Sequence, residues 1–170
     1  MAISIEQKIG NLLQKKGLKL CLAESCTGGL IANKITNIPG SSEYFVSGIV
    51  AYSYEAKEKL LGVKKQTLMD HGAVSRETVL EMAAGARNSM IPFFALDQLV
   101  GVSVSGIAGP GGGMPEKPVG LVWIGLSTPT GNWAYQFIGT GNRIQNKRYS
   151  ARKALLLLVK YLEGYEKPND

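Results

Sequence analysis

The chain has 170 residues, 45% of them hydrophobic, and a formal net charge of +6. That length supports one substantial core, so a single domain is expected over residues 1–165, with residues 166–170 a frayed tail. No uninterrupted apolar run offers a membrane span, the first residues lack a secretion signal's apolar core, and Cys21 and Cys26 make no disulfide framework, so a cytoplasmic protein without membrane attachment is expected.

In chain order, Ile5–Lys16 carries Ile5, Ile9, Leu12 and Leu13 at helical spacing and is closed by Gly17, which suits the left-handed exit from a helix. Leu18–Ala23 reads as a short buried strand and Thr27–Thr36 as a helix with Leu30, Ile31 and Ile35 on its apolar face. The Pro39–Ser42 turn leads into a long strand, Tyr44–Tyr52. Two short helices follow, Glu55–Leu61 and Lys65–His71, ended by Gly62 and Gly72, and Ser75 caps a longer helix reaching Asn88. Leu99–Ser105 is a buried strand, Val119–Ser127 and Trp133–Ile138 form a hairpin about Pro129-Thr130-Gly131, and Arg143–Leu162 is a closing helix. Strands alternating with helices, followed by a late hairpin, predict a single α/β domain of three layers, α/β/α, with a mixed, mostly parallel sheet.

Ligands of such folds lie at the carboxyl ends of the strands. The first strand leads there to Ala23-Glu24-Ser25-Cys26-Thr27-Gly28-Gly29, the second to Tyr52 and Lys57, and the third to Ser105 and the glycine-rich run Gly106–Gly113. Ser25 stands at a strand-to-helix turn, where the N–H groups of Cys26, Thr27 and Gly28 would be free to hold a phosphate or a developing oxyanion. The other reading is that Ser25 or Thr27 only caps the helix. One histidine and two cysteines are too few for a conventional zinc site, so no metal and no other cofactor is expected, although these counts leave carboxylate-bound magnesium open. His71 sits in a polar turn and reads as a capping residue, so a serine nucleophile would need another base.

A desolvated lysine can be neutral near physiological pH, and Lys57, with Ala56, Leu60 and Leu61 around it, is the leading candidate. Against this stands the plainer alternative that Lys57 and Lys59 are an exposed basic pair and Tyr52 a strand-end core aromatic. The run Gly106–Gly113 holds five glycines, matches neither the Walker A nor the dinucleotide pattern, and still permits a tight wrap around a ligand. Lys117 and Arg143 stand where they reach a phosphate or are surface charge. The positive charge favours an anionic partner, but no aromatic ladder or zinc-finger motif accompanies it, so nucleic acid is not the expected one.

Taken together, Ala23–Gly29, Pro39-Gly40-Ser41-Ser42, Gly48 with Tyr52-Ser53 and Ala56-Lys57, His71-Gly72-Ala73-Val74-Ser75, Ser105–Pro110 and Glu116–Gly120 resemble the CinA C-terminal domain family, whose characterised members include the nicotinamide mononucleotide deamidases. The resemblance implies metal-independent hydrolysis of the carboxamide of nicotinamide mononucleotide to nicotinic acid mononucleotide and ammonia, as part of pyridine nucleotide recycling. It implies Ser25 as nucleophile, Lys57 as its base and Tyr52 as a supporting group. Glu24, Cys26, Thr27, Gly28, Ser105, Gly106, Gly109, Gly111, Gly112, Lys117 and Arg143 are the substrate-binding residues it suggests. A homodimer is expected, with Tyr44-Phe45 or Phe93-Phe94 as candidate apolar contacts, and the chain resembles the stand-alone form of a domain fused elsewhere to a larger one. The alternative within the family is a non-catalytic nucleotide-binding or competence-related interaction module. Tyr54, Met114 and Asn142 depart from the family's usual residues.

Overall fold

The structure is a computed structural model describing residues 3–165; the tail expected at 166–170 lies outside the described residues. Helix α1 spans Ile5–Lys16, with Ser4 accepting from the Gln7 N–H at its start and Gly17 leaving it at φ 66°. Strand β1 is Lys19–Glu24, α2 is Leu30–Thr36, and β2 is Phe45–Val50, entered through a short 3-10 turn at Ser41–Glu43. Helices α3 (Tyr54–Leu61), α4 (Lys65–His71) and α5 (Arg76–Asn88) come next, then β3 (Leu99–Gly106), the hairpin β4 (Leu121–Thr128) and β5 (Gly131–Ile138), and the closing helix α6 (Arg143–Leu162).

The strands form one sheet in the order β2-β1-β3-β4-β5. β1 is parallel to both neighbours, whereas β3 to β4 and β4 to β5 are antiparallel. β4 alone therefore runs against the other four strands, as a hairpin appended to a parallel core requires.

The limits of α2 and of the second strand differ from expectation for physical reasons. α2 begins at Leu30 rather than Thr27, because Gly28 and Gly29 take φ values of 62° and 93° that belong to a turn. The second strand is shorter than Tyr44–Tyr52: the Tyr44 side chain is buried in the core and Tyr52 lies past the last paired residue.

The period of two along the strands sorts the core into two layers. Leu20 and Leu22 of β1 and Val100, Val102 and Val104 of β3 pack with residues of α1, α2 and α6. Cys21 and Ala23, with Leu99, pack on the opposite face with Leu61, Leu68, Met82 and Ala86 of α3, α4 and α5. Here α5 lies with its backbone on its neighbours. A Cβ added at Gly101 would stand 2.2 Å from the Ala83 carbonyl oxygen, and one at Gly125 would stand 2.3 Å from that of Val79. On the other side of α5, a Cβ at Gly85 would meet the Leu61 carbonyl oxygen of α3 at 1.9 Å. Gly85→Ala is accordingly expected to destabilise the protein by about 1–3 kcal/mol through overpacking, read as a lower urea midpoint with an unchanged m-value.

Candidate active site

The carboxyl ends of β1 and β3 carry the site. Glu24 is the last residue of β1, and its register places it on the Leu20–Leu22 face, toward α2; Ser25, one residue on, takes the opposite face, toward α3. The Ser25 N–H still bonds to the Val104 carbonyl at 2.9 Å, so the ladder fixes Ser25 although it lies beyond the strand. The same register puts Ser105, next after Val104, beside it.

Each of the two adjacent polar residues finds a different partner. The Glu24 carboxylate, 2% exposed, accepts from the N–H groups of Gly29, Ile31 and Ala32 at 2.8–3.1 Å and so caps α2. Ser25 Oγ lies 2.9 Å from Lys57 Nζ. Lys57 is 1% exposed, and its ammonium also donates to the carbonyls of Ala51 at 3.0 Å and Tyr52 at 3.4 Å. No carboxylate pairs with it among the described residues. Burial therefore pushes the Lys57 pKa below the ordinary lysine value, against a smaller opposing influence of the Cys26 thiol. As an ammonium Lys57 donates to Ser25 Oγ as well; on losing a proton it keeps two N–H bonds for the Ala51 and Tyr52 carbonyls and turns a lone pair toward the Ser25 hydroxyl.

A cleft of about 260 Å³ opens over this pair. Ser25, Cys26, Tyr52, Lys57, Ser105, Gly106, Gly109, Gly111, Gly112 and Arg143 all line it. Burial drives the Cys26 thiol up to about 12, so it stands in the wall as a protonated, unreactive group. Arg143, the first residue of α6, bridges two walls: it donates to the Gly109 carbonyl at 2.7 Å and to the Tyr52 hydroxyl at 2.9 Å. Tyr52 thus meets Lys57 through its backbone carbonyl and Arg143 through its side chain. The Ser105 hydroxyl donates to the Ala73 carbonyl at 2.7 Å, joining β3 to the loop before α5.

Four expected residues fall elsewhere. Glu24 is taken up by the cap. Thr27 and Gly28 belong to the wall of a neighbouring cavity. Lys117 lies outside the cleft wall, its ammonium donating to the His71 carbonyl at 2.6 Å. The helix-start donors are also reduced: Gly28 N–H bonds back to the Ser25 carbonyl at 3.1 Å, and Glu24 claims the first amides of α2, which leaves the N–H groups of Cys26 and Thr27 outside the cap.

The cleft also holds residues that the sequence alone did not single out. Ala73, Val74, Ile107 and Ala108 complete its lining. Asn146 of α6, 3% exposed, donates to the carbonyls of Ala108 and Gly141 and accepts from the Gly141 N–H, fastening the glycine-rich loop to the helix. Its signal was an amide four residues before Ser150 on the otherwise apolar face of α6. Of the three departures from the family's usual residues, the Tyr54 hydroxyl accepts from the Ala73 N–H, Asn142 caps α6, and Met114 is exposed; none lines the cleft.

A three-layer α/β fold with a buried Ser–Lys pair at the carboxyl edge of its sheet defines the class. The CinA C-terminal domain model matches residues 2–162, and the chain belongs to that family. It is 51% identical over 160 residues to a protein of Caldanaerobacter subterraneus subsp. tengcongensis named competence-damage inducible, with 94% of this chain and 37% of that one aligned. It is 50% identical over 163 residues to a CinA-like protein of Kosmotoga olearia, covering 92% of this chain and 38% of the relative. The chain thus spans a little over a third of the length of these curated relatives. Among solved structures, a CinA superfamily protein of Klebsiella pneumoniae superposes with a TM-score of 0.87 at 29% identity, covering 95% of this chain and 97% of the other. A competence/damage inducible protein of Agrobacterium tumefaciens gives 0.82 at 38% identity, covering 96% and 99%.

Two outcomes follow from the opposed partners of residues 24 and 25. Glu24→Ala removes an acceptor from three helix-start donors and is expected to cost about 1–3 kcal/mol, read by thermal or urea unfolding. Lys57 penalises the folded state whenever it is protonated, because its folded pKa lies below its unfolded one. Relative to Lys57→Met, the wild type should therefore gain stability as pH rises from the lowered folded value toward about 10.4, and the difference should be flat outside that window, as urea titrations across pH would reveal.

Proposed function

We propose that this chain is a Ser/Lys amidohydrolase that hydrolyses the carboxamide of nicotinamide mononucleotide to nicotinic acid mononucleotide and ammonia. The observation that carries the reading is the 2.9 Å contact between Ser25 Oγ and a buried Lys57 amine that has no carboxylate partner among the described residues. Family membership supports the choice of substrate through the resemblance drawn from the motifs.

The chemistry runs through the pair. Ser25 Oγ attacks the amide carbon while its proton passes to the Lys57 lone pair. The N–H group of Cys26, which lines the cleft beside Ser25, is the donor offered to the developing oxyanion. Lys57 then gives that proton to the departing nitrogen, and ammonia leaves with the C–N bond. Water then attacks the ester carbonyl while Lys57 takes its proton; the acyl C–O bond to Ser25 breaks, Lys57 returns that proton to Ser25 Oγ, and the carboxylic acid leaves and ionises. The Tyr52–Arg143 bridge holds the outer wall against which the ring and ribose would rest, so binding away from the amide orients the reacting carbon. As drawn, the reaction uses no metal. The active protein would serve as a homodimer in the cytoplasm, supplying pyridine nucleotide recycling.

The test is ammonia release from nicotinamide mononucleotide with a chelator present. Wild type should turn over, and Ser25→Ala and Lys57→Ala, each verified as folded by circular dichroism, should lose about 10²-fold or more. The rate should rise with pH as Lys57 loses its proton, with the limb centred below the ordinary lysine value because burial lowers it. A folded wild type that binds the nucleotide and releases no ammonia would instead establish the non-catalytic nucleotide-binding module.

A further inference from the structure

Resting on the mononucleotide reading, we propose that Lys147 and Arg148 of α6 form the phosphate subsite, in a cavity next to the Ser25 cleft, and that this subsite sets the preference for a phosphorylated substrate. The cavity holds about 360 Å³, and its wall includes Thr27, Gly28, Asn33, Ile144, Lys147 and Arg148. It shares two chain segments with the reaction cleft. Ser25 and Cys26 line one and Thr27 and Gly28 the other, while Arg143 lines one and Lys147 the other. Residues four apart on a helix lie on the same face, about 6 Å along its axis, so α6 supplies a continuous wall from the first cavity to the second.

The chemistry of this wall suits a phosphate monoester. Among the described residues, neither Lys147 nor Arg148 has an ion-pair or hydrogen-bond partner, in contrast to Arg143 and Lys117, whose charged groups already hold protein acceptors. Thr27, 1% exposed, has a hydroxyl with no hydrogen-bond partner. Gly28 lies close to Lys147: a Cβ there would stand 3.6 Å from Lys147 Nζ, and its φ of 62° is one that a side chain would strain. A compact ammonium, a guanidinium and a polar, Cβ-free turn are what a doubly charged phosphate needs to replace its water. Among the described residues, no acidic side chain lines the cavity. A substrate with its amide over Ser25 and its phosphate against Lys147 would lie along the first turns of α6.

Two measurements test the assignment on the whole chain. The first titrates inorganic phosphate while amide signals are followed by NMR, and is blind to turnover. Shifts that saturate at Thr27, Gly28 and Lys147, and weaken about tenfold in Lys147→Met, are the expected result. Saturation elsewhere, or equal binding in Lys147→Met, overturns it. The second compares kcat/KM for the mononucleotide and for the phosphate-free riboside. Lys147→Met should lower the ratio of the two about tenfold through KM, whereas Arg152→Met, which removes the same charge from α6 outside the cavity, should leave the ratio where it is. A ratio unmoved by Lys147→Met overturns the assignment. Phosphate binding at Lys147 in a protein that releases no ammonia would sustain the subsite and sink the deamidase reading alone.

Discussion

Everything distinctive about this molecule turns on an amine held out of water beside a hydroxyl, with no counter-charge among the described residues to keep it protonated. A buried lysine without a carboxylate is costly for a fold to carry, since desolvation disfavours its charged form. Here the cost falls on a group whose remaining hydrogen-bonding capacity is met by the Ala51 and Tyr52 carbonyls, so the amine is fixed in direction as well as stripped of solvent. Those carbonyls sit just past β2, the hydroxyl sits just past β1, and the amine rises from α3. The pairing is thus a product of three elements, two strands and a helix, meeting at one edge of the sheet.

The placement of charge around that edge is as consequential as the pair itself. Alternation along β1 sends the Glu24 carboxylate to the opposite side of the sheet from Ser25, where the α2 amides absorb it. Had the two residues shared a face, the carboxylate would have favoured a protonated Lys57 and removed its lone pair. One residue of register therefore separates a structural acid from a basic amine. The same sheet edge gathers Ser105 and the glycine-rich loop on β3, and Arg143 from α6 ties that loop to Tyr52.

Much of this was legible beforehand. Element order, the hairpin, the cap at Ser75 and the exit at Gly17 follow from periodicity and local chemistry, and the convergence of Ser25, Tyr52, Lys57 and Ser105 follows from the rule that strands deliver ligand-binding groups at their carboxyl ends. What escaped was decided by tertiary contact. The start of α2 depended on two glycines adopting turn conformations, a choice open to glycine in either structure. Whether Lys57 was buried or solvated depended on how deeply α3 sits, which no local pattern records. The use of Glu24 as a cap and the role of Asn146 as a fastening for the glycine-rich loop involve partners that only the folded chain brings near, and the direction taken by Lys117 belongs with them.

The close seating of α5 bears on how such a site is held. Gly85 brings the α5 backbone against the Leu61 carbonyl of α3, and Gly101 and Gly125 let the other side of α5 rest on the sheet, so main chain on main chain joins α3 to the sheet through α5. A side chain at any of these three glycines would push α5 off its neighbours and so reach the gap between hydroxyl and amine, although none of the three lines the cleft.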